Sequence, residues 1–146
     1  MLARHSTFNN HYKLHPMNTL IKETDSFSIE YDVETNSILH TVKSFLVTDE
    51  WKDLLTTGHH FFAENKLSKW ISDNRDLPVL HNNIDTWFYN DWLPGMIETG
   101  WKQWAMVEPT IHPGKLSQKS YLENIANLGI EVRSFEGLEE AREWIK

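Results

Sequence analysis

Hydrophobic and polar residues alternate strictly in two short segments near the start of the chain. Phe27, Ile29 and Tyr31 alternate with polar residues, and the alternation resumes at residues 38–42 after a turn-forming stretch at 34–36. A period of two places successive side chains on opposite faces of a strand, so these segments predict a half-buried β-hairpin. Residues 20–24 predict a short edge strand in front of it.

His40 falls on the apolar side of the second hairpin strand. A histidine in this position has two interpretations. It is either a hydrogen-bonded side chain at the margin of the sheet or a catalytic group, and the first is the more common situation for one histidine among apolar neighbours.

Apolar residues next recur at intervals of three, four and seven, which predicts an amphipathic helix packed on the sheet. Thr48 is the expected N-cap, two acids follow it in the first turn, and the helix should end near Asn65. Gly58 lies on the apolar stripe and would allow a close approach to the sheet. The stripe consists of Trp51, Leu54, Leu55, Gly58, Phe61 and Phe62.

The remainder of the chain alternates between strands and helices. Strands are expected at 69–73, 101–107 and 130–135, and helices at 83–99, 116–128 and 138–145, with a kink at Pro94 and a C-terminal glycine at Gly129. Right-handed crossovers should make the later strands parallel. The pattern predicts one α/β domain over residues 19–146, whose mixed β-sheet starts with an antiparallel hairpin and continues with alternating helices and strands.

Residues 1–18 lack apolar periodicity and predict a mobile N-terminal tail. Met17 stands where the ordered domain should begin, so it is a second candidate for the translation start. Three histidines lie in the tail, at His5, His11 and His15. A floppy, solvated segment is a more economical interpretation of this stretch than a metal site.

Composition narrows the classes of function. The chain has 146 residues, a formal charge of −7, seven tryptophans and no cysteine. The acidic balance disfavours nucleic acid as a partner, and no apolar run is long enough for stable membrane insertion. Without cysteine there are no disulfides, thiolate nucleophiles or Cys-bound zinc. No secretory signal is recognisable, so a cytoplasmic location is expected. No cofactor or metal motif is present.

The residues most suited to recognition follow the predicted strand at 69–73. Asp73, Asn74 and Arg75 supply an acceptor, an amide and a cation there. Ligands of open α/β sheets bind beyond the carboxyl ends of the parallel strands. We therefore expect these three side chains to belong to a ligand-binding or partner-binding site.

The following helix brings further candidates to the same predicted site. Trp87, Asp91 and Trp92 share its apolar stripe, where an unpaired acid is unusual. One interpretation is a polar and aromatic recognition patch. The alternative is structural: Arg75 pairs with Asp91, and the two indoles belong to the core.

Three segments give the chain a family resemblance: KWISDNR at 69–75, DTWFYNDWLPGMIETGWKQWAMVEP at 85–109 and FEGLEEAREWI at 135–145. From residue 20 to 146 the chain resembles the SpoIIAA-like, STAS-type domains related to CRAL-TRIO, in a bacterial branch of unknown function. The resemblance implies a cytoplasmic regulatory or ligand-binding domain without enzymatic activity. In the STAS phosphoswitch a serine or threonine follows the strand-end acid. Here Asn74 follows Asp73, which departs from that mechanism.

Three hypotheses about function remain open. The first is a non-catalytic regulatory or binding domain that recognises a protein partner or forms a homodimer. The second is a domain that binds an apolar small molecule or lipid, as the CRAL-TRIO relationship and the aromatic content suggest. An enzyme that uses paired carboxylates such as Asp73 and Asp91 is the third.

Overall fold

The chain is represented by a computed structural model that describes residues 17–78, 85–111 and 122–146. Its centre is a six-stranded sheet in which the strands stand in chain order. The strands are β1 (Thr19–Glu23), β2 (Phe27–Asp32), β3 (Ser37–Val42), β4 (Lys69–Asp73), β5 (Gln103–Val107) and β6 (Glu131–Phe135).

Helices connect the later strands, and the last helix follows β6. They are α1 (Thr48–Glu64), α2 (Asp85–Trp87), the π-helical turn π1 (Phe88–Trp92), α3 (Leu93–Glu98), α4 (residues 122–126) and α5 (Leu138–Ile145). The strand pairs β1–β2 and β2–β3 are antiparallel, whereas β3–β4, β4–β5 and β5–β6 are parallel. The predicted mixed sheet with an opening hairpin is therefore confirmed.

Both faces of the sheet are covered. Ile38 and Trp70 on one face pack with Leu54 and Phe62 of α1 in the larger hydrophobic core. On the opposite face, Leu39, Ile71, Ala105 and Val107 form a second core with Ala141 and Ile145 of α5. Because β5 is buried on both faces, its sequence is nearly continuous in apolar residues, as expected of an interior parallel strand.

Two local predictions were wrong. The polar side of β2 was expected to face solvent, but Glu30 and Asp32 are only 3% and 0% exposed. Asn18 donates to Glu30, and Arg142 of α5 pairs with Asp32, so partners distant in sequence allow these acids to be buried. In addition, α1 is preceded by Val47 as its N-cap in place of Thr48, and Glu50 accepts a hydrogen bond from the Val47 N–H at 3.0 Å.

The expected tail lies outside the described residues except at its end. Met17 is exposed, and the side-chain oxygen of Asn18 accepts a hydrogen bond from the Val33 N–H at 3.2 Å. The described chain therefore joins the hairpin at Asn18, one residue before β1. The tail histidines and residues 116–121 of the helix expected at 116–128 also fall outside the described residues.

Gly58 brings α1 into direct contact with Trp70 of the sheet. A β-carbon at position 58 would overlap with Cη2 of Trp70 and lie 3.0 Å from its Cζ3. Trp70 is 1% exposed, and its indole N–H is bonded to His40 at 3.0 Å, so the ring has little freedom to move away. The close approach that the sequence predicted at Gly58 is present.

We expect Gly58→Ala to lower the free energy of unfolding by at least about 1 kcal/mol. Overpacking a core costs typically about 1–3 kcal/mol, and the fixed Trp70 ring places this site at the upper end, so about 2 kcal/mol remains after subtracting the roughly 1 kcal/mol that alanine gains over glycine in a helix. Urea unfolding of this variant and of Thr56→Ala, an exposed position of the same helix, would measure the difference. A Gly58→Ala protein as stable as Thr56→Ala would contradict the contact.

The kink expected at Pro94 takes the form of the turn π1 immediately before it. The N–H of Leu93 donates to the carbonyl of Phe88, five residues earlier, and α3 begins with proline in its first turn. Proline has no N–H to donate, so it is tolerated where a helix is re-initiated. Because a π-helical turn is wider than an α-helical one, the side chains of π1 and α3 point in other directions than a continuous α-helix from α2 would give them.

Candidate functional site

The carboxyl ends of β3, β4, β5 and β6 meet at one edge of the sheet, which we call the carboxyl edge. Backbone hydrogen bonds join the segments that leave it. Asn74 N–H donates to the carbonyl of Val107 at 3.1 Å, and Thr110 N–H donates to that of Arg75 at 2.9 Å. The segment after β4 is therefore held against the end of β5.

Asp73 and Arg75 form a two-pronged ion pair at this edge. Arg75 Nε lies 2.8 Å from Asp73 Oδ1, and Arg75 Nη2 lies 2.7 Å from Asp73 Oδ2. The Asp73 side chain is 2% exposed, whereas that of Arg75 is 21% exposed. The hydrogen bond to Asp73 raises the pKa of Arg75 above its usual value. The pair neutralises the acid and fixes the guanidinium at the surface.

His40 is the centre of a buried hydrogen-bond network beneath the edge. Trp70 Nε1–H can only donate, so His40 Nδ1, 3.0 Å away, accepts. The neutral ring then carries its proton on Nε2, which donates to Asn74 Oδ1 at 3.1 Å. This chain of bonds assigns both the histidine tautomer and the orientation of the Asn74 amide.

Burial keeps His40 uncharged. Desolvation lowers the pKa of His40 from 6.5 to about 4, although the Asn74 hydrogen bond and the charge of Asp73 act in the opposite direction. A protonated ring would turn Nδ1 from an acceptor into a donor that faces the Trp70 N–H. The neutral form is therefore the one that fits this network.

Ser72 extends the network into the core. Its hydroxyl oxygen accepts a hydrogen bond from Trp104 Nε1 at 2.8 Å and lies 3.5 Å from His40 Nδ1. Ser72 is 1% exposed. A serine beside a histidine is the geometry of a nucleophile, but here the histidine nitrogen is occupied by Trp70 and the hydroxyl is sealed in the core.

Four tryptophans form one connected cluster in that core. Their neighbouring ring centroids lie 5.1–6.4 Å apart, the range for favourable aromatic contacts. Each indole N–H also has an acceptor, among them the carbonyls of Leu55 and Gln103. The tryptophan content of the chain is thus largely explained by packing. The cluster consists of Trp70, Trp92, Trp101 and Trp104.

The structure brings three of the six predicted site residues together and separates the rest. Asp73, Asn74 and Arg75 are adjacent at the carboxyl edge, as expected. Trp92, by contrast, is 4% exposed and belongs to the core. Trp87 is half-buried, with Lys52 Nζ 5.6 Å from its ring centroid.

The expected pairing of Arg75 with Asp91 was wrong. Arg75 binds Asp73, while Asp91 is exposed on π1. The prediction assumed a regular helical stripe through Asp91, and the π-helical turn breaks that phase. The structural interpretation of Trp92 as a core residue was correct.

Sequence reasoning left His40 and Ser72 out of the site. The sequence predicts a position at the margin of the sheet for His40, but β3 is an interior strand, so this histidine is fully enclosed. Both residues lie on the same face as Ile38 and Trp70, because His40 pairs with Ser72 in the β3–β4 register. The available signal was that His40 and Ser72 are polar residues at positions of β3 and β4 whose neighbours on the same face are apolar.

One solved structure relates this architecture to a known fold. It belongs to an uncharacterised protein of the DUF3478 family from Shewanella loihica PV-4, described as having a SpoIIAA-like fold. The two chains superpose with a TM-score of 0.56 over 92% of this chain and 99% of that one, at 14% identity. The fold is SpoIIAA-like. No protein-family model matches the chain, and no curated protein matches it.

The SpoIIAA-like fold accounts for the expected sheet and for the position of the Asp73–Arg75 segment at its carboxyl edge. Within the described ranges, no three histidine or acidic side chains are grouped as metal ligands would be. None of the helices in those ranges combines the length and apolar character needed to cross a membrane.

Proposed function

We propose that the protein is a non-catalytic binding domain that recognises a protein partner, or a second copy of itself, at the carboxyl edge. The observation that carries the proposal is the apolar exposure there. Phe45 and Val47, in the loop after β3, are 43% and 50% exposed, and Ile111, after β5, is 65% exposed. Leu46 between the first two is buried and anchors their loop.

The location of these side chains supports a recognition surface. Single exposed apolar residues are ordinary, but three of the seven large ones in the described part of the chain follow strands at this one edge. Thr110, which precedes Ile111, is bonded to the backbone of Arg75. The side chains of Phe45, Val47 and Ile111, which we call the apolar rim, lie at the same edge of the sheet as a fixed ion pair. That combination suits a protein interface, where apolar contacts supply affinity and polar groups set the orientation.

The polar network supports binding over catalysis. The His40 nitrogen that could serve as a base already accepts the Trp70 N–H, and both oxygens of Asp73 are bound by Arg75. These groups act as a rigid support for the edge. The aromatic residues that suggested an apolar small molecule or lipid are in large part core residues, so they favour that alternative less than the composition alone did.

Site-specific photo-cross-linking in the native host tests the proposal. A photoreactive phenylalanine analogue at Val47 should give a protein adduct, while the same analogue at Val33 should not. Val33 is a matched control because it is 44% exposed and lies in the hairpin turn, at the opposite edge of the parallel strands. Mass spectrometry of the adduct distinguishes a partner from a second copy. A lipid adduct, or equal adducts at both positions, would overturn the proposal.

A further inference from the structure

Two hydrogen-bond donors at the carboxyl edge have no acceptor among the described residues. The Asn74 side chain uses Oδ1 for His40, and Arg75 uses Nε and Nη2 for Asp73. In the described part of the chain, neither Asn74 Nδ2 nor Arg75 Nη1 forms a further bond. Every fully buried side-chain nitrogen and oxygen there does have a partner, so both donors must reach the surface.

Both donors are held in fixed orientations. Asn74 is 8% exposed, its side-chain amide is oriented by the hydrogen bond from His40 Nε2, and its backbone is fixed by the N–H bond to the Val107 carbonyl. Arg75 is clamped by Asp73 through two bonds and by a backbone turn in which its N–H lies 3.3 Å from Asp73 Oδ1. Side chains that are ordered before binding lose little entropy when they bind, so such donors suit recognition.

We infer that Asn74 Nδ2 and Arg75 Nη1 bind the uncharged carbonyl oxygens of a cationic peptide segment in the partner. This inference rests on the proposed function and names the chemistry of its partner. The donors require an oxygen acceptor, which a main-chain carbonyl, a carboxylate or a phosphate could supply. The charges around Arg75 decide among these acceptors.

The surroundings of Arg75 are acidic. Three carboxylates act on its charge, those of Asp73, Asp76 and Glu139, and Glu139 also lies 3.5 Å from Arg142 Nη1. The whole chain is also acidic, at −7. An anionic acceptor would enter against this potential, whereas a neutral carbonyl would not, and Lys or Arg side chains beside that carbonyl would be attracted.

The test uses the full chain labelled with ¹⁵N and three probes at low salt: acetyl-Lys-Gly-Lys-Gly-Lys-amide, acetyl-Glu-Gly-Glu-Gly-Glu-amide and inorganic phosphate. We expect saturable shifts of the Asn74 Nδ2 and Arg75 Nε signals with the lysine peptide alone. Shifts with phosphate or the glutamate peptide would overturn the inference, as would the absence of shifts with all three.

The variant Asn74→Asp separates carbonyl binding from simple charge attraction. It keeps an oxygen that accepts the His40 proton, but it replaces the Nδ2 donor by a negatively charged oxygen. If Nδ2 binds a carbonyl, the lysine peptide should bind about fivefold or more weakly, as the loss of one hydrogen bond implies. If only charge matters, the added acid should strengthen binding, and the inference would be wrong.

A failed peptide titration and a failed cross-linking experiment have different meanings. A protein adduct at Val47 without lysine-peptide binding would support the interface at the carboxyl edge and contradict the inference that the partner segment is cationic. Lysine-peptide shifts at Asn74 without an adduct at Val47 would support the donor site of Asn74 and Arg75. They would contradict the proposal that the exposed apolar side chains at this edge bind the partner.

Discussion

Arg142→Met should lower the free energy of unfolding by about 3–5 kcal/mol, the range found when one partner of a buried ion pair is removed. Arg142 binds Asp32 through Nε at 2.6 Å and Nη2 at 3.0 Å, and the Asp32 side chain is fully buried. Methionine retains much of the aliphatic packing but leaves a buried carboxylate without its cation. Urea unfolding at neutral pH, read out by tryptophan fluorescence, would give the difference.

The pair also has an architectural role. Its two residues are 110 positions apart, and their bond fastens α5 to the end of β2. Asp32→Asn in the Arg142→Met background should therefore recover part of the loss, because a neutral amide is easier to bury than a carboxylate that has lost the Arg142 cation. Lys146→Met is the control, since Lys146 pairs with Glu143 at the surface. If Arg142→Met costs no more than Lys146→Met, the ion pair contributes nothing to stability.

The strands and helices were predictable because their signals are local. Alternation at Phe27–Tyr31 marks a strand, although β2 is buried on both faces, and the helical spacing from Trp51 to Phe62 arises from the burial of one face of α1. Gly129 has φ = 96°, a conformation that glycine adopts without strain, so the end of α4 was also marked in the sequence. The parallel direction of β3 to β6 followed from the helical segments expected between them, because parallel strands need a crossover connection.

The predictions that failed concern partners that the local pattern does not contain. The burial of Asp32 depends on Arg142 at the other end of the chain, and the strand pattern alone assigned that acid to solvent. The π-helical turn removed Asp91 from the stripe that a regular helix would have given it. For the site, the sequence identified Asp73, Asn74 and Arg75, but it did not identify His40, whose proton orients the Asn74 amide.

The stability of the protein should fall as the pH falls from about 6.5 to about 4, and His40 should account for about 3 kcal/mol of that loss. The folded-state pKa of His40 is about 4, below the value of 6.5 for an exposed histidine. Between these two values the unfolded chain binds a proton that the folded protein does not. The contribution of neutral His40 is therefore complete above pH 6.5 and is lost progressively towards pH 4, at 1.36 kcal/mol for each unit of the difference.

A variant without the imidazole isolates this effect from the carboxylates, which protonate in the same range. His40→Gln offers an amide N–H and a carbonyl at this position but does not titrate. The free energy of unfolding of His40→Gln should lie furthest below that of the wild type at pH 7, because the substitution disturbs the Trp70 and Asn74 bonds. This gap between the two free energies should narrow by about 3 kcal/mol as the pH falls to 4. Urea unfolding at half-unit steps of pH would measure the gap, and ¹⁵N shifts of the ring would show an unprotonated Nδ1. A gap that stays constant from pH 7 to 4 would mean that His40 has the same pKa in the folded and unfolded states, and that burial does not hold it neutral.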